Sequence, residues 1–99
     1  MGAVDPKIET LEEACETVRQ RGEKYGKPSD HFARTIGAIN CLFRSKLKEP
    51  LTPADWAMFM VIDKISREQQ EHQHDNVLDI IGYGACMSEC KQAEGTCRI

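Results

Sequence analysis

The sequence predicts an all-α fold, a small helical bundle of about four helices. Three observations lead there. Apolar residues recur at helical spacing in four separate stretches. Cap and breaker residues stand at the borders of those stretches. No alternating strand pattern competes with them. The 99 residues make one domain, with 1–7 and 91–99 expected as flexible tails. A chain of this length buries roughly two-thirds of its surface on folding. Oligomerisation is the natural way to bury more, so a homo-oligomer is expected.

The first helix is expected over about 8–23. Leu11, Ala14, Cys15 and Val18 form its apolar stripe, and Glu9, Glu12 and Glu13 sit early, where the helix dipole favours acids. Tyr25-Gly26-Lys27-Pro28 should end it, since Gly and Pro together break helices. The second helix is expected over about 30–46, capped by Ser29 or Asp30. Phe32, Ile36, Ile39, Cys41, Leu42 and Phe43 supply its apolar side. Gly37 costs roughly 1 kcal/mol against Ala inside a helix, which suggests close approach by another helix or a ligand.

Thr52-Pro53-Ala54-Asp55 marks the start of the third helix. Thr52 caps, Pro53 fits the first position, and Asp55 can answer the cap. The helix runs to about 69. Trp56, Met58, Phe59, Met60, Val61, Ile62 and Ile65 make it apolar nearly all round, so it should be central. A polar link over 70–74 precedes the fourth helix, capped by Asp75 and running to about 90. Its small residues Gly82, Gly84 and Ala85 should permit tight packing. The short link predicts an antiparallel hairpin of the third and fourth helices.

Net charge is −3 with acids and bases interleaved, which argues against a general nucleic-acid binder. No apolar run is long enough to span a bilayer, and the start lacks the pattern of a signal peptide. Gly2 opens no myristoylation motif, because Pro6 stands where Ser or Thr is needed. Of five cysteines, Cys15, Cys41, Cys86 and Cys90 lie in helical patterns, as reduced small hydrophobes of a cytoplasmic protein would. Cys86, Cys90 and Cys97 fit no standard zinc spacing.

The residues that can carry chemistry gather late in the chain. His72, Asp75, Asn76, Asp79 and Tyr83 share one helical stripe among Val77, Leu78, Ile80 and Ile81. A polar stripe in an apolar helix needs a partner, either the protein itself or a ligand. Lys64 and Arg67, three apart on the preceding helix, can hold a phosphate, the guanidinium by a bidentate fork. Alternatively they pair locally, Arg67 with Asp63 and Lys64 with Glu68, or with Asp79 across the hairpin. Asp75 and Asp79 can share a divalent cation, but two carboxylates are few for that. Arg21 and Tyr25, ahead of a Gly-Pro turn, suit a nucleotide rim. Glu9/Glu12 and Glu13/Glu16 read first as solvated faces.

These pieces stand in a distinctive order: Arg21-x-x-x-Tyr25-Gly26-x-Pro28-x-x-x-Phe32, Thr52-Pro53-x-Asp55-x-Ala57-x-x-Met60, Lys64-x-x-Arg67, then His72-x-x-Asp75-Asn76-x-x-Asp79-x-x-Gly82-Tyr83. Over residues 13–89 this resembles a family of small tailed-phage proteins without an established function. The resemblance implies a phage protein in the cytoplasm of an infected bacterium. At greater distance the layout is similar to the all-α nucleoside triphosphate pyrophosphohydrolases of the MazG type. Those carry Glu-x-x-Glu and Glu-x-x-Asp on successive helices, and the four carboxylates hold magnesium. Here Lys64 and Arg67 replace the first pair, and cations there oppose a metal but neutralise phosphate.

The expectation is therefore a binder of a phosphorylated nucleotide-like ligand, with no catalytic residue and no cofactor. Lys64 and Arg67 would hold phosphate, with His72 and Asp75 beside them. Asn76, Asp79 and Tyr83 would read base or ribose. Arg21 and Tyr25 would close the rim from a neighbouring subunit. Such a phage protein can sequester a host immune nucleotide signal. One alternative is a magnesium-dependent pyrophosphohydrolase using Asp75 and Asp79 with Glu12, Glu13 and Glu16. The other is a structural or protein-binding module whose stripe is internal pairing.

Overall fold

The computed structural model describes residues 3–95, and these form four α-helices, one short 3-10 turn and no strand. Helix α1 spans Pro6–Tyr25. Asp5 caps it, its carboxylate accepting from the Lys7 amide at 3.0 Å, and Pro6 fills the first turn where an amide is not needed. The helix stops at Gly26, whose φ of 80° favours glycine. Helix α2 spans Pro28–Leu42. Pro28 therefore does more than break α1: it opens α2, behind Lys27, and neither Ser29 nor Asp30 caps the helix. The predicted second helix also ends early, because Arg44–Lys46 tighten into the 3-10 turn. Asn40 holds the following loop, donating to the Leu51 carbonyl at 2.9 Å and accepting from its amide at 2.8 Å.

Helix α3 spans Pro53–Gln70 and starts as the sequence predicts. Thr52 Oγ1 accepts from the Asp55 amide at 3.2 Å, and Asp55 Oδ2 accepts from the Thr52 amide at 2.8 Å. Helix α4 spans His74–Ala93. Its cap is Gln73, so Asp75 sits in the first turn rather than at the cap. Residues 6, 7 and 91–93, expected in the tails, are helical.

Helices α3 and α4 form the antiparallel hairpin. Residue pairs 54–94, 64–79 and 68–76 make side-chain contacts, so the start of one helix meets the end of the other. Helix α1 runs alongside α4 in the same direction, with His74 against Glu13 and Gly82 facing Val18. The first turns of α1 thus extend past the beginning of α4. Helix α2 packs on both hairpin helices and meets α1 only lightly. The central element is consequently α4, which touches all three others, and not α3 as its apolar sequence suggested. Phe32, Ala54, Ala57 and Cys90 are buried together, with Trp56, Tyr83, Cys86 and Met87 packed around them. Val77, Leu78, Ile80 and Ile81 are only half-buried. Gly37 is approached by nothing within 4 Å of an added Cβ, so its presence marks no close packing.

Candidate functional site

The stripe that reads as one site in the sequence divides in space into two. The first part is the turn of the hairpin, and it is organised by Glu68. Its carboxylate accepts from His72 Nδ1, from the Gln73 amide at 3.1 Å and from Asn76 Nδ2 at 3.1 Å. The His72 bond, then those from Gln73 and Asn76, hold the Glu68 carboxyl down at about 2, against an ordinary value of 4.5. Glu68 therefore serves the start of α4, where Gln73 makes no side-chain cap bond. Asn76 is buried, gives one amide N–H to Glu68 and does not line the groove. His72 and Asp75 are exposed.

One turn further along, Lys64 Nζ lies 3.3 Å from Asp79 Oδ2, with the side chains only 14% and 25% exposed. The cross-hairpin ion pair is thus present for Lys64. Arg67 takes the other alternative and pairs with Asp63 on its own helix at 3.1 Å. Each cation thus has a carboxylate partner within the hairpin.

The second part is an open groove of about 640 Å³ between α1 and α2, floored by α4. It exists because α1 and α2 both lie on α4 while barely touching each other. The two-residue link Gly26-Lys27 closes one end. Of the sequence candidates, Arg21, Tyr25, Asp79 and Tyr83 line it; Lys64, Arg67, His72, Asp75 and Asn76 do not. Arg21 and Tyr25 belong to the same chain as the rest of the groove, so no neighbour is needed to supply them.

Aromatic rings run across the groove in a chain of contacts. Tyr25 tilts against His31 at 6.4 Å, His31 meets Phe32 edge-on at 5.8 Å, and Phe32 stacks on Tyr83 at 6.2 Å. Arg21 is exposed and has no ion pair or hydrogen bond among the described residues. Burial pushes the Tyr83 hydroxyl above its ordinary value, and the nearby Arg21 charge opposes that shift. The hydroxyl thus stays protonated at neutral pH. Burial likewise raises the Cys86 thiol, and it pushes Cys90 up to about 11, so both remain neutral. Cys97 and Gly2 lie outside the described residues.

Sequence reasoning missed four contributors: Glu68 as organiser of the turn, and Lys27, His31 and Glu89 as groove lining. His31 had a weak signal, standing between Tyr25 and Phe32 after the Gly-Lys-Pro turn. The carboxylates do not suit a magnesium site. Among the described residues no three His, Cys, Asp or Glu are grouped to hold a metal ion. Asp79 faces Lys64, and Glu13 faces His74 at 3.3 Å.

A family model described as a domain of unknown function, DUF6378, matches residues 9–91. The chain belongs to that family. The matched span contains the whole groove and the whole hairpin turn. No curated protein and no solved structure matches the chain. Among the described residues no helix is long and apolar enough to cross a membrane.

Proposed function

We propose that this DUF6378 chain binds a phosphorylated, nucleotide-like small molecule in the α1–α2–α4 groove and does not turn it over. The observation that supports this reading is the unpaired Arg21 guanidinium beside the ring chain Tyr25–His31–Phe32–Tyr83. A planar base needs ring faces, and a phosphate needs an uncommitted cation with donor geometry. The groove volume lies within the range of small-molecule sites.

The phosphate role passes from Lys64 and Arg67 to Arg21, with Lys27 at the closed end. Tyr25 and Tyr83 offer ring faces. Asp79 directs one carboxylate oxygen to Lys64 and has the other for a ribose hydroxyl or a base N–H. Hydrolysis of a phosphoanhydride needs an activated water and charge neutralisation on the leaving group. The groove carboxylates Asp79 and Glu89 are not grouped for a metal that would supply both. Binding without turnover suits sequestration of a host nucleotide signal, a role proposed by analogy with phage biology.

Calorimetry with mono-, di- and cyclic nucleotides in the presence of chelator tests the reading. Binding of at least one class is expected, with phosphate and pyrophosphate release at background after magnesium or manganese is added. Turnover that disappears in Asp79→Ala would transfer the chain to the pyrophosphohydrolases. No binding across the panel would refute the proposal.

A further inference from the structure

Helix α3 turns two very different sides to its surroundings. Ala54 and Ala57 are fully buried against α2 and α4. On the neighbouring, outward side Met58, Phe59, Ile62 and Ile65 are 42%, 42%, 57% and 48% exposed. Positions 58, 62 and 65 form one helical strip with Phe59 beside it. Phe59 is held in place by an edge contact with Trp56 at 6.5 Å, so the strip is preorganised. The exposed Asp63–Arg67 ion pair stands at its margin. Met, Phe and Ile together with charges at the edge is the composition of a protein interface.

The chain also exposes more surface than one molecule of its size should. A compact monomer of 11.2 kDa is expected to expose about 5,700 Å²; this chain exposes 7557 Å². Its radius of gyration is 15.5 Å, against about 13 Å for a compact chain of this length. Phe32 and Ile36 are the only large apolar side chains in the buried core of the described residues. The surplus of about 1,900 Å² exceeds the roughly 800 Å² that each partner buries in a standard interface.

We infer that the Met58–Phe59–Ile62–Ile65 face of α3 is the interface of a homodimer, packed on the same face of a second copy. The occupant is a second copy because the surplus belongs to the isolated chain itself and is large enough to supply one side of a standard interface. Self-pairing of one helix face requires a two-fold axis. The axis passes near the middle of the strip, at its most exposed member, so Ile62 meets Ile62 of the other copy. The groove lies on α1, α2 and α4, away from this face. Dimerisation and ligand binding are thus separate properties, and this inference does not rest on the proposed function.

Light scattering behind size exclusion tests it on the full chain at micromolar concentration. The native protein should return about twice 11.2 kDa. Ile62→Glu and Ile62→Lys should each return the mass of one chain while keeping a helical dichroism spectrum, since the residue is 57% exposed in the single chain. An equimolar mixture of the two should return to the dimer mass, because unlike charges then meet at the axis. A monomeric native protein would overturn the inference. So would a mixture that stays monomeric, or Leu11→Glu dissociating the dimer while Ile62→Glu does not. In that last case the exposed Ile8 and Leu11 on α1, with Val4 just ahead of the helix, would be the interface.

Discussion

The hairpin turn and the groove use similar residue types to opposite ends. Around the turn, the central polar groups answer one another. Glu68 gathers three donors, Lys64 meets Asp79, and Arg67 meets Asp63. In the groove, by contrast, Arg21 has no such partner among the described residues, and Tyr25 and His31 are exposed. Satisfied polar groups stabilise the chain against water, whereas unsatisfied exposed ones remain available to a ligand. The difference separates scaffold from site more sharply than residue identity does. Both regions contain a cation, a carboxylate and a histidine.

The largest expected effect breaks the groove alone. A charge-assisted bond to phosphate contributes roughly 1.5 to 3 kcal/mol. Arg21→Ala should weaken nucleotide binding by about ten- to a hundredfold, read by calorimetry. Arg21→Lys should recover part of it, since an ammonium lacks the planar fork. Neither variant should move the melting temperature, because Arg21 makes no ion pair to lose. A melt that drops while affinity holds would make Arg21 part of the scaffold.

Lys64→Met should do the reverse. It leaves Asp79 without its cation in a mostly covered position. Breaking a fully buried pair costs about 3 to 5 kcal/mol, and the partial exposure here reduces that to about 1 to 2 kcal/mol. Denaturant unfolding should show the loss. Arg67→Ala should change stability by less than about 0.5 kcal/mol, because its pair with Asp63 is exposed. Equal losses for the two variants would contradict the division of roles between them.

How far the sequence speaks follows from which interactions are local. The Thr52–Asp55 box was legible because both partners lie within one turn. The hairpin was legible because a short link leaves two helices little choice. Lys64 and Asp79 were legible as one of several pairings, since helical spacing points both inward but cannot rank their partners. Glu68 was not legible. Its role depends on the path of Gln73 and on Asn76 folding back over it, which only the turn geometry decides. Lys27 and His31 were missed for a similar reason. Their place in the groove depends on the angle between α1 and α2, which no periodicity encodes. Lys64 and Arg67 were assigned to phosphate because spacing shows proximity and not prior commitment to a carboxylate.

Acid provides a finer probe of the turn. The Glu68 carboxyl is held down at about 2 in the folded chain, against an ordinary 4.5. A depressed carboxyl contributes stability that is fully present above the ordinary value and is lost as pH falls through the folded one. Stability should therefore decline between about pH 4.5 and pH 2, beyond what other carboxylates produce. Glu68→Gln should be less stable at neutral pH and should show a flatter decline across that window. Parallel curves for the native chain and the variant would mean that Glu68 does not carry the turn.

A small effect of the opposite sign, a stabilisation, comes from a residue in neither region. Gly37 lies inside α2 and nothing stands within 4 Å of where its Cβ would be. Its backbone is helical, so alanine fits without strain. Glycine inside a helix is less favourable than alanine by roughly 0.5 to 1 kcal/mol, mostly through the entropy of the unfolded chain. Gly37→Ala should therefore stabilise by about that amount and raise the melting temperature by a few degrees. Gly37 does not line the groove, so nucleotide affinity should be unchanged. Gly82→Ala provides the contrast. Its methyl would stand 3.7 Å from Val18 Cγ2, an ordinary contact, but on the groove floor. It should gain similar stability while altering affinity. If Gly37→Ala shifted affinity and Gly82→Ala did not, the ligand would lie against the outer side of α2 and not between α1 and α2.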